Sequence, residues 1–247
     1  MANKSYLITI IAVLVSFAVG FLLANALNRD ELDAVRLENN RLKTSEANNT
    51  QNTTELTLTN DEIQTKIADA DANPGNFTFQ KNLGLALYRY GSMKKDSALI
   101  SESARILQRA FDLDQTDLEI QTGLGNSYFD IGYFNNDNES FARSREYYGK
   151  ALAKKPRDVE IRTDLALTYF LQQPPELERA VAEFEKSQAI DPQHEKTLQF
   201  LIQSLIKQNE TEKAANYLKQ LKQANADNPS IAELSSLLDG GPITSKK

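Results

Sequence analysis

His194 is the only histidine of this 247-residue chain, and cysteine is absent. Those two facts remove most of the chemistry a protein of this length could perform. A thiol nucleophile, a thiolate metal site and a disulfide all need cysteine. A serine nucleophile needs a base within hydrogen-bond reach. His194 stands in Asp191-Pro192-Gln193-His194 with no nucleophile motif around it, and reads as a solvated residue of a polar turn. Asn135-Asn136-Asp137-Asn138-Glu139 is rich in ligand oxygens. It lacks the ligand spacing and central glycine of an EF-hand calcium loop. The side chains therefore predict no catalytic residues, no metal site and no cofactor: a protein that is not an enzyme.

Charge narrows the partners. The formal net charge is −6, and residues 28–72 carry ten acids against five bases, so the rest of the chain is close to neutral. No basic face points to nucleic acid.

What must position the remaining side chains is a repeat. Leu83-Gly84-Leu85-Ala86-Leu87-Tyr88-Arg89-Tyr90-Gly91 returns as Leu124-Gly125-Asn126-Ser127-Tyr128-Phe129-Asp130-Ile131-Gly132. It returns again as Leu165-Ala166-Leu167-Thr168-Tyr169-Phe170-Leu171-Gln172-Gln173, and both steps are 41 residues. Second segments repeat with them, from Ala104 to Asp114, Arg145 to Pro156 and Val181 to Pro192. Leu107, Ala110 and Leu113 share one helical face, as do Phe184, Ser187 and Ile190. The proline that closes the second and third segments stops the helix before it. A fixed period of this size signals a solenoid of stacked helical units.

These residues resemble the tetratricopeptide repeat family. Its unit pairs a helix A carrying Leu-Gly-x-x-Tyr with a helix B carrying small–x3–aromatic–x2–Ala and a closing proline. The small residues Gly84, Gly125 and Ala166 of helix A, and Ala110, Ala151 and Ser187 of helix B, sit where the two helices must approach closely. The resemblance implies an all-α helical-hairpin solenoid over 59–240. Repeats are expected at about 77–115, 118–156 and 159–192, with a degraded copy at 195–229 and a capping helix at 230–238. In the degraded copy Leu201, Leu205, Ala214 and Leu218 keep the spacing, while Ile202 replaces the glycine. The family unit is about 34 residues. The two long units add seven each, at 92–98 and 133–139, between a glycine turn and helix B. Seven residues is nearly two helical turns. The added length is read as an earlier start of helix B, capped by Asp96 and by Asp137 or Asn138, or else as a longer polar loop. Thr59 and Glu62 form a capping-box pattern that opens a short helix at about 60–72.

The resemblance also names a binding surface. In such domains helix A lines a concave groove at the second, fifth, ninth, twelfth and thirteenth positions of each unit. Here these are Thr78, Lys81, Leu85, Tyr88 and Arg89; then Glu119, Thr122, Asn126, Phe129 and Asp130; then Glu160, Thr163, Leu167, Phe170 and Leu171. The partner-binding set is taken as Lys81, Leu85, Tyr88, Arg89, Asn126, Phe129, Asp130, Leu167 and Phe170. The twelfth positions make an aromatic ladder, Tyr88–Phe129–Phe170, that suits an extended peptide or an amphipathic helix. The alternative role of such rings is packing between repeats. The family's clamp for acidic chain ends is not matched, because Leu85 replaces the expected asparagine beside Lys81.

The N-terminus carries the second signal. Residues 1–4 are a short tail, and from Ser5 to Asn28 no residue is charged. A helix of 22 residues spans about 33 Å, enough for a hydrocarbon core. Residues 5–28 are therefore read as a transmembrane anchor. The rival is a signal peptide cut after Ala26, within Ala24-Asn25-Ala26. Residues 29–44 suggest a juxtamembrane helix whose Leu32, Val35, Asn39 and Leu42 could seam a short coiled coil and a homodimer. Residues 45–58 are an Asn/Thr-rich linker and 241–247 a flexible tail. Bases after the apolar run favour a cytoplasmic repeat domain; the signal-like start favours an extracytoplasmic, periplasmic one, which is the slight preference. The function expected is a membrane-tethered scaffold that holds a protein or peptide partner in its groove. The alternative is a repeat subunit that binds apocytochrome during cytochrome c maturation, or a similar envelope assembly factor.

Overall fold

Alternating apolar faces and acidic helix caps dictate a stack of antiparallel helices. The computed structural model describes residues 59–240. Within them lie α1 (Asn60–Ala72), α2 (Phe77–Lys94), α3 (Ser97–Leu113), α4 (Leu118–Asn135) and α5 (Asn138–Lys154). They continue as α6 (Val159–Leu171), α7 (Leu177–Ile190), α8 (Glu195–Lys207), α9 (Thr211–Ala224) and α10 (Ile231–Leu238). The anchor at 5–28, the seam Leu32, Val35, Asn39 and Leu42, the linker and the tail lie outside the described residues. No described helix is long and apolar enough to cross a membrane.

Caps set the helix starts. Asp96, Asp117, Asp137 and Asp158 each accept backbone N–H groups of the first turn of α3, α4, α5 and α6. Each satisfies donors that the helix itself leaves unpaired. Thr59 and Glu62 close the reciprocal capping box of α1. The later starts at Glu176, His194 and Glu210 have no side-chain cap.

The seven added residues do not form an earlier helix B alone, nor a loop. Gly91 and Gly132 lie inside α2 and α4, which run on to Lys94 and Asn135. The turn follows, with Lys95 and Asn136 in the left-handed region at φ 54° and 52°. The insertion thus divides between the end of helix A and the start of helix B. The two glycines are contact points. A Cβ on Gly132 would stand 2.8 Å from Phe141, and one on Gly91 would stand 3.0 Å from Ile100.

Close approach recurs at mid-helix. A Cβ on Gly84 would lie 2.6 Å from Leu107 Cγ, and one on Gly125 would lie 2.5 Å from the Tyr148 ring. That proximity lets Ser103 donate to Gly84 O at 2.7 Å and Ser144 donate to Gly125 O at 2.8 Å, both fully buried. Another side chain ties each unit to the turn before it. Gln80 donates to Ala70 O and Asn73 O, Gln121 to Gln115 O and Arg162 to Pro156 O.

The core runs the length of the stack. Ile63, Ile67 and Ala70 of α1 pack with Phe79, Leu83, Leu87 and Ile106, so α1 covers the first repeat. Leu198, Leu201, Ile202 and Leu205 carry the core through the fourth pair to Leu234 of α10. Ile202 fills, fully buried, the place of the earlier glycines.

Candidate functional site

Helices α2, α4, α6 and α8 are the first helices of successive pairs, and each touches the next. The second helices α3, α5, α7 and α9 touch one another less. The stack therefore curves with α2, α4, α6 and α8 on its inner side, which is the groove.

The nine groove candidates divide in the structure. Tyr88, Asn126, Phe129, Asp130 and Phe170 are partly exposed, and Arg89 is exposed with no ion pair among the described residues. Leu167 is a correction: at 4 % exposure it belongs to the core with Ala166 and Ala180. Thr163 is buried too, bonded to Ser187 at 2.8 Å and Thr197 at 2.7 Å. Both are withdrawn because α7 and α8 close over this part of α6. Leu85 leans on the next helix, for a Cβ on Gly123 would meet its Cδ2 at 2.8 Å. The ladder rings do double duty. Phe129 meets Phe141 edge-on at 5.9 Å and Phe170 meets Phe200 at 5.7 Å, while both stay partly open to solvent.

Lys81 is spent within the fold. Its ammonium meets Asp117 at 2.7 Å and Glu119 at 2.5 Å, with 18 % of the side chain exposed. Burial pulls this ammonium down, but the hydrogen bonds it donates to Asp117 and Glu119 outweigh that and hold it above its ordinary value.

The centre of the groove is acidic. Ser92 donates to Asp130 at 3.0 Å, and Lys196 pairs with Asp164 at 2.6 Å. The Asp164 side chain is 24 % exposed. Burial pushes the Asp130 carboxyl above the ordinary carboxylate range; the Ser92 and Tyr88 hydroxyls oppose this and the Asp164 charge adds to it. Burial raises Asp164 as well, against the pull of Lys196. Burial also holds the Tyr88 phenol well above its usual value, and the Asp130 charge reinforces it. Below them the Tyr148 hydroxyl donates to Asn126 Oδ1 at 2.8 Å.

Asp164, Lys196 and Ser92 were missed by the repeat positions. The only signal for Asp164 was an acid directly before the repeat position Leu165, in the polar run Arg162-Thr163-Asp164. His194 is a second correction. Its ring is 15 % exposed and bridges helices, with Nδ1 2.6 Å from Thr197 Oγ1 and Nε2 2.9 Å from Glu160 Oε1. Thr197 is fully buried and Glu160 exposed, so this hydroxyl–imidazole–carboxylate chain ties α6 to the start of α8.

A curved stack of antiparallel helix pairs with one open inner face defines a helical-repeat scaffold. Residues 137–195 and 176–238 each match the tetratricopeptide repeat family, and this part of the chain carries tetratricopeptide repeats. No curated protein matches the chain. Among solved structures, one of MamA superposes with a TM-score of 0.54 at 19% identity, covering 70% of this chain and 84% of that one. TTC0263, a thermophilic tetratricopeptide repeat protein of Thermus thermophilus, superposes with a TM-score of 0.51 at 13% identity, covering 72% and 89%. At these identities the likeness speaks for the fold alone.

Proposed function

We propose that the chain is an interaction scaffold that holds a peptide or helix of a partner protein along its inner groove. The observation that carries this reading is the row Tyr88, Phe129 and Phe170, one partly exposed aromatic on each of three successive inner helices. Aromatic side chains bury much area at small entropic cost, which makes them the usual anchors of an interface. The tether belongs to the same proposal: the uncharged run 5–28 anchors the scaffold in a membrane, with the repeats on the extracytoplasmic side.

The test is partner capture by the full chain in detergent. Changing Tyr88, Phe129 and Phe170 together to serine abolishes capture while circular dichroism keeps its helical signal. Phe129 and Phe170 also pack against neighbours, so Tyr88→Ser alone serves as the milder variant and weakens capture. Capture that survives the triple change in a folded protein overturns the groove. Alkaline carbonate extraction tests the tether: the chain stays with the membrane pellet, and release into the supernatant overturns it.

A further inference from the structure

The groove is not electrically balanced. Its polar centre comes from three helices: Asp130 of α4, Asp164 of α6 and Lys196 of α8. Lys196 is committed to Asp164 at 2.6 Å. Asp130 receives the Ser92 hydroxyl; no cation among the described residues forms an ion pair with it, and the Lys196 charge, already committed to Asp164, acts on it only from a distance. Asp130 directly follows Phe129 of the ladder, and its charge acts on the Tyr88 phenol. A segment that covers the ladder therefore strips water from Asp130 too.

Withdrawing an ion from water without a partner is strongly unfavourable, whereas a cation brought to it offsets the loss. An uncharged or acidic segment would leave Asp130 buried and unpaired. Such a penalty rejects partners as effectively as good contacts select them. The groove cations make no opposite demand. Lys81 already has two carboxylates, Arg89 is exposed to water, and Lys207 of α8, also exposed, lies over the Phe170 ring at 5.7 Å.

Resting on the groove as the partner-binding surface, we infer that it selects a partner segment bearing a lysine or arginine, whose cation meets Asp130 and Asp164 while apolar neighbours meet Tyr88, Phe129 and Phe170. The polarity is the reverse of a clamp for acidic chain ends.

The experiment selects random dodecapeptides displayed on phage against the full chain in detergent micelles. Parallel tests use Asp130→Asn and the double variant Tyr88→Ser/Phe129→Ser. Enriched sequences carry a lysine or arginine flanked by apolar residues. Their synthetic copies bind Asp130→Asn about tenfold more weakly or worse, and lose affinity likewise when the peptide cation becomes methionine. Asp130→Asn keeps the side-chain shape, and a thermal melt confirms that it folds. Peptides that are lost with the double variant, carry no cation and bind Asp130→Asn unchanged overturn this inference and leave the groove standing. Peptides indifferent to the double variant, or no enrichment at all, overturn the groove reading itself. Self-association of the chain that disappears in Asp130→Asn assigns the groove to a second copy and overturns the separate partner.

Discussion

One substitution, glycine to alanine, is expected to change stability in opposite directions at three positions of this fold. In a helix interior alanine is more favourable than glycine by about 0.8–1.0 kcal/mol. At Gly149 of α5 nothing lies within 4 Å of the added Cβ, so that gain stands alone. At Gly125 the Cβ would lie 2.5 Å from Tyr148, whose ring is fully buried and whose hydroxyl is fixed to Asn126. At Gly84 it would lie 2.6 Å from Leu107 Cγ and 3.2 Å from the Leu107 backbone nitrogen, again in a fully buried place. Overpacking of this kind costs typically about 1–3 kcal/mol. With contacts this short the upper part of that range applies, so a net loss of about 1–2 kcal/mol remains after the helix gain. For a domain of this size each kcal/mol moves Tm by roughly 2–4 °C. Gly84→Ala and Gly125→Ala should thus melt about 2–8 °C lower, and Gly149→Ala about 2–4 °C higher. Thermal melts followed by far-ultraviolet circular dichroism read this directly. If Gly84→Ala and Gly125→Ala equal the parent, or Gly149→Ala is the least stable, the close helix approach is wrong.

Two further outcomes follow from buried polar groups. Ser103→Ala and Ser144→Ala each remove a buried hydrogen bond to a glycine carbonyl and should each cost about 1 kcal/mol, read as a shift of the urea midpoint. Asp130 has a carboxyl raised above its ordinary 3.8 by burial, so its stability contribution is full below that value and is lost as pH rises through the raised one. Asp130→Asn should therefore melt higher than the parent at neutral pH, and the difference should close as the pH falls to the ordinary carboxylate range; equal melts at neutral pH would refute the burial of this charge. The same variant is expected to bind partner peptides worse, which a merely structural aspartate would not do.

The hairpin period was legible because close packing constrains residue type. Only a small side chain fits where Leu107 or Tyr148 crosses helix A, so Gly84 and Gly125 recur in phase. Asp96 and Asp137 were legible for a similar reason, since a helix start needs an acceptor for its free N–H groups. Gly91 and Gly132 misled because glycine commonly ends a helix. Here each is retained for the contact with Ile100 or Phe141, and the actual turns use Lys95 and Asn136. The groove was legible only in part. Repeat position predicts which side of helix A faces inward, but it does not predict that α7 and α8 bury Leu167 and Thr163. The ties Lys196–Asp164, Ser92–Asp130 and His194–Glu160 join separate repeats, and no local spacing announces them.

The central claim is that the partner lies against the inner helices, and photocrosslinking tests it most directly. A benzophenone amino acid is placed singly at Asn126 or Phe129 of the full chain, or at Ala153, an exposed residue of the outer helix α5. Irradiation in the native membrane should give one discrete adduct from Asn126 and Phe129 and none from Ala153, and Tyr88→Ser should diminish it. An adduct of the same mass from Ala153 alone, or one that Tyr88→Ser leaves untouched, would contradict the account.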